Sequence, residues 1–280
     1  MQTFLHTSAL QSQLKTWRSQ GLRIGFVPTM GNLHEGHYAL IKKAQATCHE
    51  VVVSIFVNPL QFGANEDFAG YPRTLKADLD GLAQMGVGAV FAPDEAEIYP
   101  RPVTDMSFVE VPGLSDMLCG ASRPGHFRGV TTIVNKLFNI VQPDMAIFGL
   151  KDFQQFTIIK RMVSDLAMSV ELVGMETIRE ADGLAMSSRN GYLGAAERQQ
   201  APLLYQTLQD LRDKIRQGEH DYFELELLGQ EELENAGFRP DYVAIRRADN
   251  LDVPFADSPG LVILAAAWLG KTRLIDNIQL

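Results

Sequence analysis

Two apolar runs that flank an amphipathic segment constrain the fold of this chain more than any other feature. The runs are "LRIGFV" (22–27) and "EVVVSIFVNP" (50–59), and both have the length and β-branched content of buried strands. Between them, "GHYALIKKAQATC" places Leu40, Ile41 and Ala44 on one stripe of a helix. The three segments predict a βαβ unit, in which the strands are parallel and the crossover is right-handed.

The same alternation continues to about residue 175. Helical patterns and strand patterns follow one another at "LKADLDGLAQMG" (75–86), "GAVFAP" (88–93), "GVTTIVNKLFNIVQ" (129–142), "DMAIFG" (144–149) and "DFQQFTIIKRMVSDL" (152–166). Alternation of this kind predicts an α/β fold with a Rossmann-like, doubly wound parallel sheet and helices on both faces.

Sheets of this class bind ligands beyond the carboxyl ends of their strands. The loops after Val27, Val57 and Phe148 each follow a predicted strand. We therefore expect these loops to share one edge of the sheet and to carry the functional residues.

The pattern changes after residue 175. A long polar helical pattern, interrupted at Pro202, and a second helical pattern precede three strand patterns. The last two strand patterns are separated by Gly270 and predict a hairpin. We predict two domains, 1–175 with the parallel sheet and 176–280 as a smaller α+β domain.

Composition narrows the class of ligand. The net charge of −9 argues against a broad nucleic-acid interface, because phosphate backbones are bound mainly by clustered Lys and Arg. A small polyanion remains possible, since a nucleotide needs only a few cations and backbone amides. No membrane span and no secretory leader are expected from the apolar pattern, so we expect a cytoplasmic protein.

The loop after the first predicted strand, "PTMGNLHEGHYAL", combines glycines with two imidazoles. If a helix begins near Glu35 or Gly36, its N–H groups and the side chains of His34 and His37 can donate to one anion, while Gly31 permits a tight turn. The stretch lacks the Rossmann and P-loop glycine patterns, and "HEGH" lacks the four-residue spacing of a zinc motif. The alternative is that both imidazoles only cap the helix.

Two further loops at the expected edge carry amides and a cation. "FVNPLQFG" offers the neutral amides of Asn58 and Gln61. "IFGLKDFQQF" places Gly149 and Lys151 at a strand-to-helix turn, with Asp152 as a candidate N-cap. A lysine at this place can neutralise a polyphosphate.

Positive charge also gathers in two later loops of this acidic protein. "SRPGHFRG" contains Arg123, His126 and a second arginine, and we expect Arg123 and His126 to play a supporting role. "DGLAMSSRNGYL" places Ser187 and Ser188 beside Arg189, a compact set for binding phosphate.

Taken together, "PTMGNLHEGH", "FVNPLQF", "RPGHFRGV", "FGLKDFQQ" and "EADGLAMSSRN" resemble the pantothenate synthetase family, within the wider nucleotidyltransferase superfamily. The resemblance implies a ligase that condenses (R)-pantoate with β-alanine in pantothenate and coenzyme A biosynthesis. Pantoate attacks Mg-ATP to give pantoyl adenylate and pyrophosphate, and β-alanine then displaces AMP. It also implies a homodimer. We expect the C-terminal domain to act as a lid over the catalytic domain, because enclosing ATP would bring the loop with Ser187 to Arg189 against the edge of the sheet.

The resemblance also implies the roles of single residues. The catalytic set is His34, His37 and Lys151, with His37 as the proton donor. The remaining positions that would contact ATP are Met30, Gly31, Gly36, Gly149, Leu150, Asp152, Ile178, Met186, Ser187, Ser188 and Arg189. Gln61, Gln155 and Asn58 would bind pantoate or β-alanine, and no residue is assigned to a metal.

Two other functions remain open. A nucleotidylyltransferase that acts on a phosphorylated acceptor would use the same pair of histidines. A regulatory module that binds ATP without chemistry would release no pyrophosphate. The amide-rich segments "FVNPLQF" and "DFQQF" favour a hydroxy-acid acceptor, since a phosphorylated acceptor would require more Arg or Lys there.

Overall fold

The computed structural model describes residues 1–63, 66–256 and 258–280. The described chain divides into two compact units. The first unit is Met1–Leu150 with Ile158–Glu176, and the second is Lys151–Thr157 with Thr177–Leu280. The prediction that 1–175 and 176–280 are separate domains stays a prediction.

The described residues of the first unit form a six-stranded parallel sheet. Its strands are β1 (Gln2–Phe4), β2 (Ile24–Thr29), β3 (Glu50–Ile55), β4 (Ala89–Phe91), β5 (Met145–Gly149) and β6 (Glu171–Met175). They lie in the order β1-β4-β3-β2-β5-β6, and every pair is parallel. The predicted doubly wound parallel sheet is therefore confirmed.

The described residues up to 176 form seven helices, of which the sequence predicts the four at 35–45, 75–84, 126–141 and 153–165. The seven helices are α1 (Thr7–Ser19), α2 (Glu35–Gln45), α3 (Leu75–Gln84), α4 (Glu95–Ile98), α5 (Cys119–Ser122), α6 (His126–Val141) and α7 (Phe153–Asp165). Short 3-10 turns occupy Pro59–Gln61, Val103–Asp105 and Leu150–Asp152. The start of α2 at Glu35 is as predicted, whereas α6 begins three residues before the predicted Gly129.

The strand order creates a switch point between β2 and β5. From β2 the chain builds β3 and then β4 on one side, and β5 and then β6 on the other. Residues Val27 and Val53 are partners in the β2–β3 register and are fully buried. Parallel strands end at the same edge, so the loops after β2, β3 and β5 share that edge, as predicted.

The second unit contains an antiparallel sheet with helices. The helices are α8 (Ala195–Gln200), α9 (Leu203–Arg216) and α10 (Tyr222–Asn235), and the strands are β7 (Arg239–Arg247), β8 (Leu261–Leu269) and β9 (Thr272–Gln279). The strand order is β7-β8-β9, which confirms the predicted hairpin, and Gly270 at its tip has φ +56°. Leu208 and Leu211 of α9 pack in one core with Ile263 of β8. The helical break at Pro202 is also confirmed.

None of the helices among the described residues has the length and apolar content that a membrane span needs.

Candidate active site

The loop between β2 and α2 starts with a tight turn at Gly31. Thr29 Oγ1 donates to the carbonyl oxygen of Ser54 at 2.7 Å and accepts from the Gly31 N–H at 3.2 Å. Gly31 is buried and has φ +79°, and a Cβ atom there would lie 3.1 Å from Ile55 Cγ2. Both the backbone conformation and the lack of space therefore require glycine.

A buried carboxylate on α3 holds the next two residues of this loop. Asp78 is 3% exposed, and its two oxygens accept from the backbone N–H groups of Asn32 at 3.0 Å and Leu33 at 2.9 Å. Thr74 Oγ1 also donates to Asp78 Oδ2 at 3.1 Å. Sequence reasoning missed Asp78, although an acidic residue four positions before the buried Leu82 on one helical stripe was the available signal.

His34 and His37 cap the start of α2 reciprocally. His34 Nδ1 accepts from the Gly36 N–H at 3.2 Å, and His37 Nδ1 accepts from the His34 N–H at 3.3 Å. The two ring centroids are 4.2 Å apart. A nitrogen that accepts carries no proton, so each neutral imidazole has its proton on Nε2. The capping role that the sequence left open is therefore present, and the Nε2–H groups of the two imidazoles lie at the start of α2, where the helix dipole is positive. The expected role in binding an anion stays a prediction.

The turn after β3 is built around a buried amide. Asn58 is 1% exposed, and its Nδ2 donates to Gln61 Oε1 at 3.1 Å and to the Gly129 carbonyl oxygen at 3.2 Å. Its Oδ1 accepts from Tyr99 Oη at 2.8 Å and from the Leu60 N–H at 3.4 Å. Protein groups thus occupy both ends of the Asn58 amide, and Gln61 is the half-buried amide of the pair.

This turn lies directly against α6. A Cβ atom on Gly129 would lie 2.2 Å from the Leu60 carbonyl oxygen and 2.7 Å from the Gln61 nitrogen. Any larger residue at 129 would displace the turn that carries Gln61.

Arg123 and His126 hold the same turn by its backbone. His126 Nδ1 lies 2.8 Å from the Gln61 carbonyl oxygen, and Arg123 Nη2 donates to that oxygen at 3.3 Å. Arg123 also forms two 2.6 Å hydrogen bonds with the Glu66 carboxylate. Burial raises the pKa of Glu66, but the hydrogen bonds and charge of Arg123 outweigh it and keep that pKa below its ordinary value. Arg123 and His126 therefore contact the backbone of the turn that carries Gln61, and their expected supporting role stays a prediction.

The end of β5 leads into the predicted lysine turn. Gly149 closes β5 and Leu150 begins a 3-10 turn, both in the first unit. In the second unit, Lys151 Nζ lies 3.8 Å from Asp152 Oδ2, and Gln155 is half-buried on the first turn of α7.

The second unit also contains the predicted serine-arginine loop. Ile178 and Met186 lie opposite each other at the base of a short hairpin, since the Met186 N–H donates to the Ile178 carbonyl oxygen at 2.9 Å and Arg179 pairs with Ala185 in an antiparallel bridge. Ser187 Oγ then accepts from the Arg189 N–H at 3.2 Å. This bond leaves the Ser187 hydroxyl hydrogen as a donor at the start of the 3-10 turn Ser188–Tyr192.

A buried ion pair fixes this loop to β9. Arg179 donates to the Asp276 carboxylate at 2.6 and 2.9 Å and to the Gly183 carbonyl oxygen at 3.1 Å. The Arg179 guanidinium stacks on the ring of Tyr205 at 3.3 Å from the centroid. The next residue of β9, Asn277, donates from Nδ2 to the Lys151 carbonyl oxygen at 2.9 Å. Sequence reasoning missed both β9 residues.

The predicted site residues divide between the two units. In the first unit, the loops at the carboxyl edge of the sheet carry Met30, Gly31, His34, Gly36, His37, Asn58, Gln61, Gly149 and Leu150. The second unit carries Lys151, Asp152, Gln155, Ile178, Met186, Ser187, Ser188 and Arg189.

The described residues suit anion binding better than metal binding. Imidazole, amide and ammonium donors dominate both sets. Within the described ranges, no three His, Cys, Asp or Glu side chains are grouped so as to hold a metal ion.

Comparison with known proteins extends these observations. A model of the family described as pantoate-beta-alanine ligase matches residues 2–279. A pantothenate synthetase from Shewanella baltica (strain OS223) is 53% identical over 279 residues, covering 100% of this chain and 99% of that protein. A pantothenate synthetase from Laribacter hongkongensis is 56% identical over 268 residues, covering 96% of each chain.

Solved structures of similar fold also come from pantothenate synthetases. The pantothenate synthetase of Thermus thermophilus is 44% identical, with a TM-score of 0.92 over 99% of each chain. The pantoate-beta-alanine ligase of Francisella tularensis, complexed with beta-gamma ATP and β-alanine, is 34% identical, with a TM-score of 0.84 over 99% of this chain and 97% of that one. Because the family model spans almost the whole sequence and the fold agrees throughout, the chain belongs to the pantoate-β-alanine ligase family.

Proposed function

We propose that this protein condenses (R)-pantoate with β-alanine at the expense of ATP, giving pantothenate, AMP and pyrophosphate. The observation that carries the proposal is the reciprocal cap of His34 and His37 at the switch point of the sheet, in a chain that matches the ligase family over residues 2–279. The ATP analogue and β-alanine bound to the Francisella tularensis relative support the same pair of substrates.

The first step forms pantoyl adenylate. A carboxylate oxygen of pantoate attacks the α-phosphorus of ATP, the bond from that phosphorus to the bridging oxygen breaks, and pyrophosphate leaves. Phosphoryl transfer needs mainly in-line positioning and donors where negative charge accumulates. The Nε2–H groups of His34 and His37 act as those donors. His37 is the proton donor that the resemblance implies, and its neutral imidazole stabilises the charge on the departing pyrophosphate by a hydrogen bond from Nε2–H without giving the proton up.

The second step forms the amide. The amine of β-alanine attacks the acyl carbon, the bond to the adenylate oxygen breaks, and AMP leaves with that oxygen. Gln61 and Gln155 hold pantoate through its hydroxyl and carboxylate oxygens, and Gln61 helps to seat β-alanine. Asn58 acts on the substrate through Gln61, since protein groups already occupy both ends of its own amide.

The nucleotide is held by donors from both sets of loops. The loop between β2 and α2, here called the phosphate loop, contacts ATP through Met30, Gly31 and Gly36. The ribose side of the nucleotide is contacted by Gly149, Leu150 and Asp152. Lys151 neutralises phosphate charge, Ile178 and Met186 contact the nucleotide through their backbones, and the phosphate tail is bound by Ser187, Ser188 and Arg189.

Residues 176–280 act as a lid that closes on ATP. Small-angle scattering with and without ATP tests the closure, and identical profiles would contradict it.

Magnesium enters as part of the substrate Mg-ATP, where it neutralises charge on the phosphate oxygens. The protein acts in the cytoplasm, as the apolar pattern of the sequence predicts, and it acts as a homodimer, as the family resemblance implies. Light scattering after size exclusion measures the mass directly, and a single species of 31.1 kDa would contradict the dimer.

A nucleotidylyltransferase is the alternative. The amide turn at Asn58 and Gln61 argues against it, since both side chains are neutral and the adjacent Arg123 is paired with Glu66, whereas a phosphorylated acceptor requires cations. Pantoate labelled with ¹⁸O in its carboxylate separates the two functions. The proposed reaction transfers one label to AMP and retains one in the amide product. Folded protein that forms no labelled AMP from pantoate, ATP and β-alanine would overturn the proposal.

A further inference from the structure

We propose that Tyr99 is a positioning residue for pantoate, because its hydroxyl holds the Asn58 amide in place and the Asn58 amide in turn sets the direction of the Gln61 amide. This inference rests on the proposed function and deepens it. The chain of hydrogen bonds runs from Tyr99 Oη to Asn58 Oδ1 at 2.8 Å and from Asn58 Nδ2 to Gln61 Oε1 at 3.1 Å. Tyr99 and Asn58 are 41 residues apart in sequence.

Backbone groups decide which end of the Asn58 amide is oxygen. The Leu60 N–H, 3.4 Å from Oδ1, can only donate, and the Gly129 carbonyl oxygen, 3.2 Å from Nδ2, can only accept. A rotation of the amide by half a turn would set donor against donor and acceptor against acceptor. The assigned direction is therefore the one that satisfies every neighbour.

Tyr99 supplies the shortest of these contacts. Its side chain is 8% exposed, and its ring lies 6.0 Å from that of Phe56 with Lys136 Nζ 5.4 Å from its centroid. Burial, with a smaller contribution from the charge of Glu95, raises the pKa of Tyr99 well above its ordinary value. The phenol stays protonated at neutral pH and remains available as a donor to Asn58 Oδ1.

The hydrogen bonds from Tyr99 through Asn58 determine which group of the Gln61 amide can contact a substrate. Because Oε1 faces Asn58 Nδ2, the other branch of the Gln61 amide, the Nε2 group with its two donors, is the part that can meet pantoate. Donors match the hydroxyl and carboxylate oxygens of pantoate. A Gln61 amide turned the other way would bring an acceptor against the carboxylate and weaken binding.

The first test is Tyr99→Phe, which removes only the hydroxyl. Tyr222→Phe is the matched control, since Tyr222 is also 8% exposed and donates to a carbonyl oxygen, that of Ala256, at 3.2 Å. We expect Tyr99→Phe to raise the KM for pantoate about 5- to 20-fold while the KM for ATP stays within about twofold. Tyr222→Phe should leave both KM values unchanged. Equal changes in the two KM values for Tyr99→Phe would overturn the proposal.

A double-mutant cycle tests the route through Gln61. If Tyr99 acts on pantoate only through that amide, Tyr99→Phe should raise the KM for pantoate no further in a Gln61→Ala background. Independent, multiplying effects of the two substitutions would show that Tyr99 does not act through Gln61.

A third readout does not depend on catalysis. The side-chain NH₂ hydrogens of Asn58 should exchange slowly with solvent in the wild type and in Tyr222→Phe, and faster in Tyr99→Phe. Unchanged exchange in Tyr99→Phe would refute the hydrogen-bond chain itself. If exchange behaves as expected but the wild type does not turn over pantoate, the proposed function is wrong and the hydrogen bonds from Tyr99 to Gln61 are confirmed. The inference that Tyr99 positions pantoate would then be wrong as well.

Discussion

The Lys151 carbonyl oxygen accepts a hydrogen bond from Asn277 Nδ2 at 2.9 Å. Asn277 lies on β9 next to Asp276, whose carboxylate holds Arg179. In the second unit, two consecutive residues of one strand therefore fix both the lysine turn and the start of the loop that leads to Ser187. Strand β9 therefore positions two separate parts of the proposed nucleotide site, the turn at Lys151 and the loop that leads to Ser187.

Replacing Asn277 by Ala should loosen the lysine turn. Asn277 is 6% exposed, so the Lys151 carbonyl oxygen would lose a buried donor, which costs roughly 1–3 kcal/mol. We expect the KM for ATP to rise several-fold with little change in the KM for pantoate. Leu274→Ala on the same strand is the control, because it removes buried apolar surface without touching Lys151. A similar rise in the KM for ATP in both variants would mean that general loosening of the unit, and not the lost bond, is responsible.

His37→Ala should affect chemistry much more than folding. The lost Nε2–H donor is expected to slow pantoyl adenylate formation by about 10²- to 10³-fold. The lost capping bond to the His34 N–H should cost only about 0.5–2 kcal/mol of unfolding free energy. Single-turnover AMP formation and urea unfolding measure the two effects.

His49→Ala provides the control for His37→Ala. His49 Nδ1 also accepts a backbone N–H, that of Arg23 at 2.9 Å, but it lies at the amino end of β3, away from the proposed site. We expect a comparable small loss of stability and normal adenylation. Adenylation rates that fall equally in both variants would assign His37 a purely structural role.

Asp78→Asn should disturb the phosphate loop. An Asn side chain keeps one acceptor oxygen but turns an NH₂ group toward a backbone N–H of Asn32 or Leu33, which costs roughly 1.5–3 kcal/mol. We expect slower adenylation, while the reaction of preformed pantoyl adenylate with β-alanine changes little. Asp80→Asn is the control, since Asp80 is exposed on the same helix. Normal adenylation in Asp78→Asn would rule out its role in holding the loop.

Glu66 should make stability depend on pH in the acid range. Its pKa is below the ordinary value of 4.5, because the hydrogen bonds and charge of Arg123 outweigh burial. A carboxylate with a lowered pKa stabilises the folded state above 4.5, and this contribution is lost as the pH falls through the folded-state value. The difference in unfolding free energy between wild type and Glu66→Gln should therefore be largest at neutral pH and shrink in acid. A difference that stays constant with pH would contradict the ion pair.

Hydrophobic periodicity was sufficient to predict the parallel sheet and the edge that its loops share. β2, β3 and β5 are continuous apolar runs, because both faces of the sheet are covered. β1 has three residues and β6 is partly exposed, so neither carries such a run, and both were missed. Helix α1 was missed although Leu10, Leu14 and Trp17 form a buried stripe at helical spacing.

Supporting residues were harder to predict than the proposed contact residues. His34, Gln61 and Lys151 lie in glycine-containing loops at predicted strand ends, which is a local signal. Asp78 and Tyr99 act across 45 and 41 residues, on Leu33 and Asn58. Such contacts depend on how the fold brings distant segments together. Local spacing shows only that Asp78 shares a helical stripe with Leu82, and not that it reaches Leu33.

The central claim is that the protein forms pantoyl adenylate from pantoate and ATP. The most direct measurement is the exchange of labelled pyrophosphate into ATP with Mg²⁺ and pantoate, in the absence of β-alanine. We predict exchange that depends on pantoate and falls sharply in His37→Ala. Folded wild-type protein that binds ATP but shows no pantoate-dependent exchange would contradict the claim.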